Sequence, residues 1–306
     1  MNPHRLRAYF YLFIVSAIWG VSGVVIKYTL FGFSPFIFLL YRFFIASIAG
    51  IILFVFFGFK PPKNKKYLLF ALVYGFLMTT LSLGFLFIGT SKTTSIDANL
   101  ISAIAPIITV LGASLLIHER VSKFEKIGIA IAFIGTLITV LEPVLKFNDG
   151  VIGLEGNLLV LISVVIGAMN AIFAKIILRD KVNIFFLTNI AFIVGFITTI
   201  PIVFISNSPS QIVNIISNTP LTYHFGVIYM ALISGTLAYF LWHKAEKMIE
   251  VGEVSIFAYL YPIFGTPLSV LWLKEKITPP FIIGVIVIAI GVIIAEWKKR
   301  RYKRSL

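Results

Sequence analysis

The chain has 306 residues, 59% of them hydrophobic and only 12% charged, with a mean hydropathy of +1.02 and a net charge of +14. Soluble domains carry about a quarter charged residues, so this composition excludes a globule solvated by water and makes lipid the solvent. Cysteine is absent, which removes disulfides, thiolate nucleophiles and cysteine metal ligands together.

His4-Arg5-Leu6-Arg7 followed by an apolar run has the charge pattern of a signal peptide. The run is too long for one and ends without a small-x-small cleavage site, so it reads as the first of a series of membrane segments. Apolar stretches cover approximately 8–30, 35–57, 67–89, 94–117, 123–141, 156–178, 184–205, 221–243, 252–273 and 280–296. Each approaches the roughly 20 residues that cross about 30 Å of hydrocarbon as a helix. Continuous runs favour helices over barrel strands, which would alternate at every second residue. The spacing predicts loops at 142–155 and 206–220, both polar or rich in Asn, Ser and Pro, and leaves no room for a soluble domain.

Taken in chain order, the first segment carries Trp19 with Gly20 and Gly23, and the second carries Arg42 about two turns in, roughly 10 Å from its start. The third offers Tyr74, Met78 and Ser82. On the fourth, Ser95, Asn99, Ser102, Pro106 and Thr109 share one stripe at spacings of three and four. The sixth contributes Asn170, the eighth Tyr229, Thr236, Tyr239, Trp242 and His243, and the ninth Ser255, Ala258, Tyr259 and Pro262. Pro106 and Pro262 lie near the centres of their segments, where a proline removes a backbone bond and frees the carbonyls of Ser102 and Ala258.

A repeat runs through this order. Pro106, Glu119, Gly128 and Gly135 recur as Pro262, Glu275, Gly284 and Gly291, each 156 residues later. More loosely, residues 16–27 match 163–175, each opening with Ser and closing with Lys. Each unit then holds five helices, residues 1–145 and 146–306. An odd number sends the second unit into the membrane from the opposite side, so the predicted architecture is an all-α integral membrane protein with ten transmembrane helices as two inverted five-helix repeats. If the N-terminus is cytoplasmic, the inner segments hold 20 basic residues and the outer ends five, with Arg42 inside a span. This positive-inside bias places both termini in the cytoplasm and makes Lys298-Lys299-Arg300-Arg301 an inner-leaflet anchor rather than a nucleic-acid site. At the junctions, Ser122 and Glu125 fit a capping box and Thr278-Pro279 fits an N-cap with proline at the first helical position. Glu119 and Glu275 are expected to pair with basic neighbours or free N–H groups there.

Ten helices in two repeats, Trp19-Gly20, Arg42-Phe43 and the paired Pro-x12-Glu-x8-Gly-x6-Gly blocks resemble the EamA family of the drug/metabolite transporter superfamily. The resemblance implies a substrate carrier of the plasma or inner membrane, often an exporter of amino acids or related metabolites. It also implies a central cavity lined by the first, third, fourth, sixth, eighth and ninth helices. The second half has Asn189 or Ile190 where the first has Arg42, so that arginine is not duplicated.

The expected substrate-binding residues are Trp19, Tyr74, Ser82, Asn99, Ser102, Asn170, Thr236, Tyr239 and Tyr259, with Pro106 and Pro262 as helix breaks. Small residues at helical spacing also make plain helix contacts, and Tyr and Trp also form interfacial belts. Asn99, Asn170 and Tyr239 stand out because a buried polar tip in lipid surroundings needs a partner or water. Arg42 would attract a carboxylate or hold the bundle together, the second reading being preferred. Asp97 and Glu253, each nine residues before its proline, suit helix N-termini, and Asp97 is also a proton-coupling candidate. His243, with an ordinary pKa of about 6.5, is another, set against a plain interfacial histidine near Lys244 and Glu246.

No Gly-x4-Gly-Lys-Ser/Thr phosphate loop occurs, so a solute or ion gradient rather than ATP would drive transport. The four scattered histidines, the lack of His-Glu-x-x-His and the lack of a paired intramembrane aspartate argue against an enzyme. No cofactor or metal is implied, and the expected partners are a small-molecule substrate and membrane lipid, not nucleic acid. A lipid flippase is the alternative, favoured by Arg42, Lys27 and Lys92 towards the outer side.

Overall fold

A computed structural model of the chain describes residues 3–117, 123–141, 150–180, 182–249 and 251–297. Among the described residues every regular element is helical. The helices are α1 (Pro3–Thr29), α2 (Pro35–Phe57), α3 (Lys65–Lys92), α4 (Ser95–Ser102 with Ala105–Ile117) and α5 (Lys123–Val140). There follow α6 (Gly150–Arg179), α7 (Ile184–Phe204), α8 (Pro209–Asn218), α9 (Leu221–Met248), α10 (Val251–Ser255, Ile256–Leu260 and Tyr261–Trp272) and α11 (Pro279–Trp297). Seven of these are long and apolar enough to cross a membrane, and Ile256–Trp272 and Pro279–Gly291 are shorter apolar helices. The chain is a multi-pass membrane protein, and its outward side chains say the same: Val55 and Phe56 of α2 and Leu115 of α4 are each more than three-quarters exposed. In water such a surface would aggregate; in lipid it is the solvated face.

Short polar residues start the helices. Thr94 Oγ1 accepts from the Asp97 N–H at 3.0 Å to open α4, Asn183 does the same for the Phe186 N–H in α7, and Phe281 N–H donates to Thr278 Oγ1 at 3.3 Å at the start of α11. Glu119 and Ser122 lie outside the described residues. The 206–220 stretch, expected to be a loop, folds instead into α8. Ser208 and Gln211 close a capping box over Pro209, satisfying the first N–H groups of a helix too short and polar to register as an apolar segment.

Four central helices depart from regular α geometry. The α4 ladder breaks at Ala103-Ile104, where Ala103 N–H reaches Asn99 O at 3.2 Å and Ile104 N–H tightens to Ile101 O at 3.2 Å, and it resumes at Ala105 with Pro106 second in line. In α10 the corresponding stretch, Ile256–Leu260, is a 3-10 helix and Pro262 again stands second in the helix that follows. A proline has no N–H and its ring collides with the carbonyl four residues back, so the preceding turn must tighten or open. The Ala258 carbonyl, expected to be left open, is taken by the Tyr261 N–H. Helices α3 and α9 each pass through a π-helical stretch, Phe76–Ser82 and Tyr229–Leu237.

Packing joins the two halves in pairs: α5 lies along α11, α2 along α7, and α4 against α10, while α3 meets α6, α1 meets α9, α4 meets α6 and α1 meets α10. The α5–α11 seam rests on the repeated glycines. A Cβ added to Gly291 would come within 2.6 Å of Gly128 O and 2.5 Å of Ala132 N, and one on Gly135 within 2.8 Å of Ile288 N and 3.0 Å of Gly284 O. Without side chains the two backbones approach closely, the usual route to helix association where lipid removes the hydrophobic drive. The largest buried apolar cluster, including Phe38, Phe43, Phe87, Phe186 and Phe192, fills the space between α2, α3, α7 and α9.

Candidate functional site

At the centre of the bundle lies a cavity of about 220 Å³, lined from α1, α3, α4, α6, α9 and α10 with Arg42 entering from α2. Most of its wall is apolar and small, so its few polar groups carry the chemistry.

Arg42 is 1% exposed, yet its Nε and Nη1 have no hydrogen-bond partner. The guanidinium lies 5.8 Å from the Phe43 ring centroid and 5.5 Å from that of Phe87, and among the described residues it forms no ion pair. Two ring faces offset only part of the cost of withdrawing a guanidinium from water. Its free donors therefore leave room for an acceptor that the described residues do not supply.

Next to it stands an aromatic group. The Trp19 ring centroid lies 4.9 Å from Tyr239, 5.0 Å from Trp242 and 6.2 Å, edge-on, from Tyr261. Trp19 Nε1–H donates to Ser234 O at 3.0 Å, and the Ser22 and Ser234 hydroxyls meet at 2.8 Å. Ser234 belongs to the π-helical stretch of α9, whose altered register offers its carbonyl to α1.

His243 bridges helices rather than facing the lumen alone. Its Nε2 meets the Tyr74 hydroxyl at 2.8 Å and its Nδ1 the Thr188 hydroxyl at 3.0 Å, which ties α9 to α3 and α7 and engages both ring nitrogens. Asn170 Nδ2 donates to Tyr74 O at 3.3 Å while its Oδ1 is unpartnered. Asn99 fills a slot where α1, α4 and α10 converge: a Cβ on Gly23 would come within 2.5 Å of its Oδ1, and its Nδ2 donates to Gly20 O at 3.4 Å. Ser82 donates to Ser163 O at 3.1 Å, and Ser102 to Ala98 O at 2.7 Å.

Of the residues expected from the sequence to bind substrate, Trp19, Tyr74, Ser82, Asn99, Ser102, Asn170 and Tyr239 line the cavity, together with Arg42 and His243. Thr236 and Tyr259 are not in the lining; Thr236 Oγ1 is turned back onto Ala231 O at 3.2 Å inside its own helix. Asp97 sits in the first turn of α4 and Pro106 and Pro262 lie behind the lining. Glu275 finds its N–H groups far along the chain. Its carboxylate accepts from Ser95 N–H at 2.8 Å, Ile96 N–H at 3.0 Å and Ser95 Oγ–H at 2.9 Å, so it caps α4 of the other half. Glu119 lies outside the described residues.

Sequence reasoning missed Glu246. It is fully buried in the lining, its Oε1 accepts from Trp242 Nε1–H at 2.7 Å, and its Oε2 has no hydrogen-bond partner. The spacing of Glu246 with Trp242 and His243 on one helix face was the available signal. Lys175 Nζ holds the Glu246 and Ile249 carbonyls at the end of α9; Lys27 Nζ holds the Thr90 and Thr93 carbonyls at the end of α3. The acceptors in the two sets are 156 residues apart, the offset of the repeat.

Comparisons with known proteins fit this geometry. The model of the EamA-like transporter family matches residues 6–141 and again 154–297. The chain is 23% identical over 301 residues to the "Uncharacterized transporter YyaM" of Bacillus subtilis, covering 95% of this chain and 94% of that one. It is 23% identical over 297 residues to a protein of Escherichia coli named "Probable amino-acid metabolite efflux pump", covering 94% and 95%. A solved crystal structure superposes with a TM-score of 0.68 at 18% identity over 96% of this chain and 98% of that one, a likeness of fold alone. The chain is a membrane transporter and belongs to the EamA-like transporter family.

Proposed function

We propose that the protein is a secondary transporter that exports amino acids or related small metabolites across the plasma membrane by alternating access, with the central cavity as its site. Residues 1–145 and 146–306 act as two five-helix repeats of opposite orientation, ten spans in all, with both termini in the cytoplasm. The paired contacts support this reading. Exchanging α1 with α6, α2 with α7, α3 with α9, α4 with α10 and α5 with α11 maps the α3–α6 contact onto α9–α1 and the α1–α10 contact onto α6–α4. The twofold family match, the lysine caps at the repeat offset and the excess of 20 inner over five outer basic residues agree with it. The relatives named as amino-acid metabolite efflux pumps favour that substrate class.

One observation carries the substrate assignment: the Arg42 guanidinium, buried against two phenylalanine rings, lines the cavity with Nε and Nη1 unpartnered. A substrate carboxylate supplies two planar acceptors that match this fork. Trp19, Tyr239 and Tyr261 then pack its apolar part, and Asn170 Oδ1 offers an acceptor to an ammonium. The interrupted ladders at Pro106 and Pro262 let α4 and α10 bend as the cavity changes sides.

The test is equilibrium exchange in proteoliposomes containing the full chain, loaded with each of the twenty common L-amino acids in turn. Exchange should occur for a subset, with the free acid competing and its amide not. Equal competition by acid and amide would remove Arg42 as the carboxylate receptor, and exchange of none of the twenty would remove the substrate class.

A further inference from the structure

We propose that Glu246 is the proton-carrying group of the transport cycle: its carboxyl binds H+ while the cavity faces one side, releases it to the other, and so exchanges a proton for substrate. This rests on the transporter reading above and deepens it.

Three observations lead there. First, Glu246 is fully buried, lines the cavity, and leaves Oε2 without a hydrogen-bond partner while Oε1 is held by the Trp242 N–H. A carboxylate withdrawn from water with no ion pair among the described residues is costly, so it holds a proton or a cation until water reaches it. Second, the scaffold does not need it. Thr90, 156 residues earlier, occupies the equivalent place: both line the cavity, both give their carbonyl to a lysine of their own half, and that lysine also holds the carbonyl three residues on in each case. A threonine suffices for that architecture, and the carboxyl is an addition. Third, the same indole that holds Oε1 stacks 5.0 Å from Trp19, so a change in the charge of Glu246 acts directly on a side chain in contact with substrate space.

Around the carboxyl, the Lys175 ammonium acts on it electrostatically, while no side chain among the described residues bonds to Oε2. From α6, Lys175 donates to the Glu246 and Ile249 backbone carbonyls. From α3, the Tyr74 hydroxyl is engaged by His243, whose other nitrogen is held by Thr188 of α7. Tyr239, on the same helix, and Tyr261 of α10 flank Trp19, and Lys244 lies over the Tyr11 and Phe240 rings at 4.8 and 5.7 Å. Lys247 completes the charges of α9, and α1 brings His4, Arg5, Arg7 and Tyr9 to the bundle; the α10 carboxylate Glu253 has its side chain outside the described ones.

Two measurements on the full chain test the proposal. In proteoliposomes, using the amino acids that exchange, an imposed pH gradient should accelerate net flux of the wild type several-fold. Glu246→Gln should abolish that acceleration, and Glu246→Asp should restore it with a displaced pH profile. A gradient response that survives in Glu246→Gln, or one that a folded Glu246→Asp does not restore, overturns the assignment. Infrared difference spectra of the purified protein between pH 6 and pH 9 need no substrate: the wild type should show a carboxylic-acid band that Glu246→Gln lacks, and an unchanged spectrum counts against the proposal. If no amino acid exchanges, the substrate reading fails on its own while the infrared band still decides whether Glu246 carries a proton.

Discussion

The two halves matched by the family model share their frame and differ in their charges. Pro106 and Pro262 follow interrupted turns in α4 and α10, the four glycines interlock across α5 and α11, and Lys27 and Lys175 hold helix ends at the same offset. The charged groups of the cavity have no such twins. Arg42 stands opposite Asn189 or Ile190, and Glu246 opposite Thr90.

The comparison breaks most sharply at Arg42. Arg42→Met should reduce amino-acid exchange by more than a hundredfold, because a buried charge that pairs with a ligand contributes about 3 kcal/mol or more. Asn189→Ala in the other half, buried but outside the lining, should stay within about twofold. Equal losses in both would mean that these positions serve packing alone.

The glycine seam should respond in both halves. Gly291→Ala and Gly135→Ala each put a methyl against backbone atoms of the facing helix, a clash worth about 1–3 kcal/mol. Each should lower the melting temperature of the detergent-purified protein. At Gly84, where the nearest atom to an added Cβ is Phe36 Cε1 at 3.9 Å, alanine should leave it unchanged. Smaller still, Lys27→Met and Lys175→Met should each cost about 1–2 kcal/mol by uncapping carbonyls at a helix end. A shift seen for one lysine only would weaken the equivalence of the two halves.

Much of this was legible along the chain. Runs of apolar residues long enough to cross hydrocarbon marked the seven helices that are long and apolar enough to span a membrane among the described residues, since lipid lets a helix satisfy its backbone internally whatever its neighbours do. Prolines marked the broken turns because the missing N–H is a covalent property. Other features escaped because they depend on partners distant in sequence. Glu246, between Lys244 and Lys247, reads as a solvated helix end until α1 and α6 close over it. Glu275 reads as a local junction residue until α4 presents its N–H groups 180 residues away. The π-helical stretches of α3 and α9 carry no mark in their composition, and α8 hid in a polar stretch because it is short and the apolar residues it packs against the core, Ile212, Ile215 and Ile216, are interspersed with polar ones.

The sequence by itself determined the solvent, the helical segments and the repeat, because these follow from transfer free energy and covalent geometry, which act residue by residue. Only the tertiary structure decided which charges were stranded without partners around the cavity, because desolvation and pairing belong to the groups a side chain meets in space.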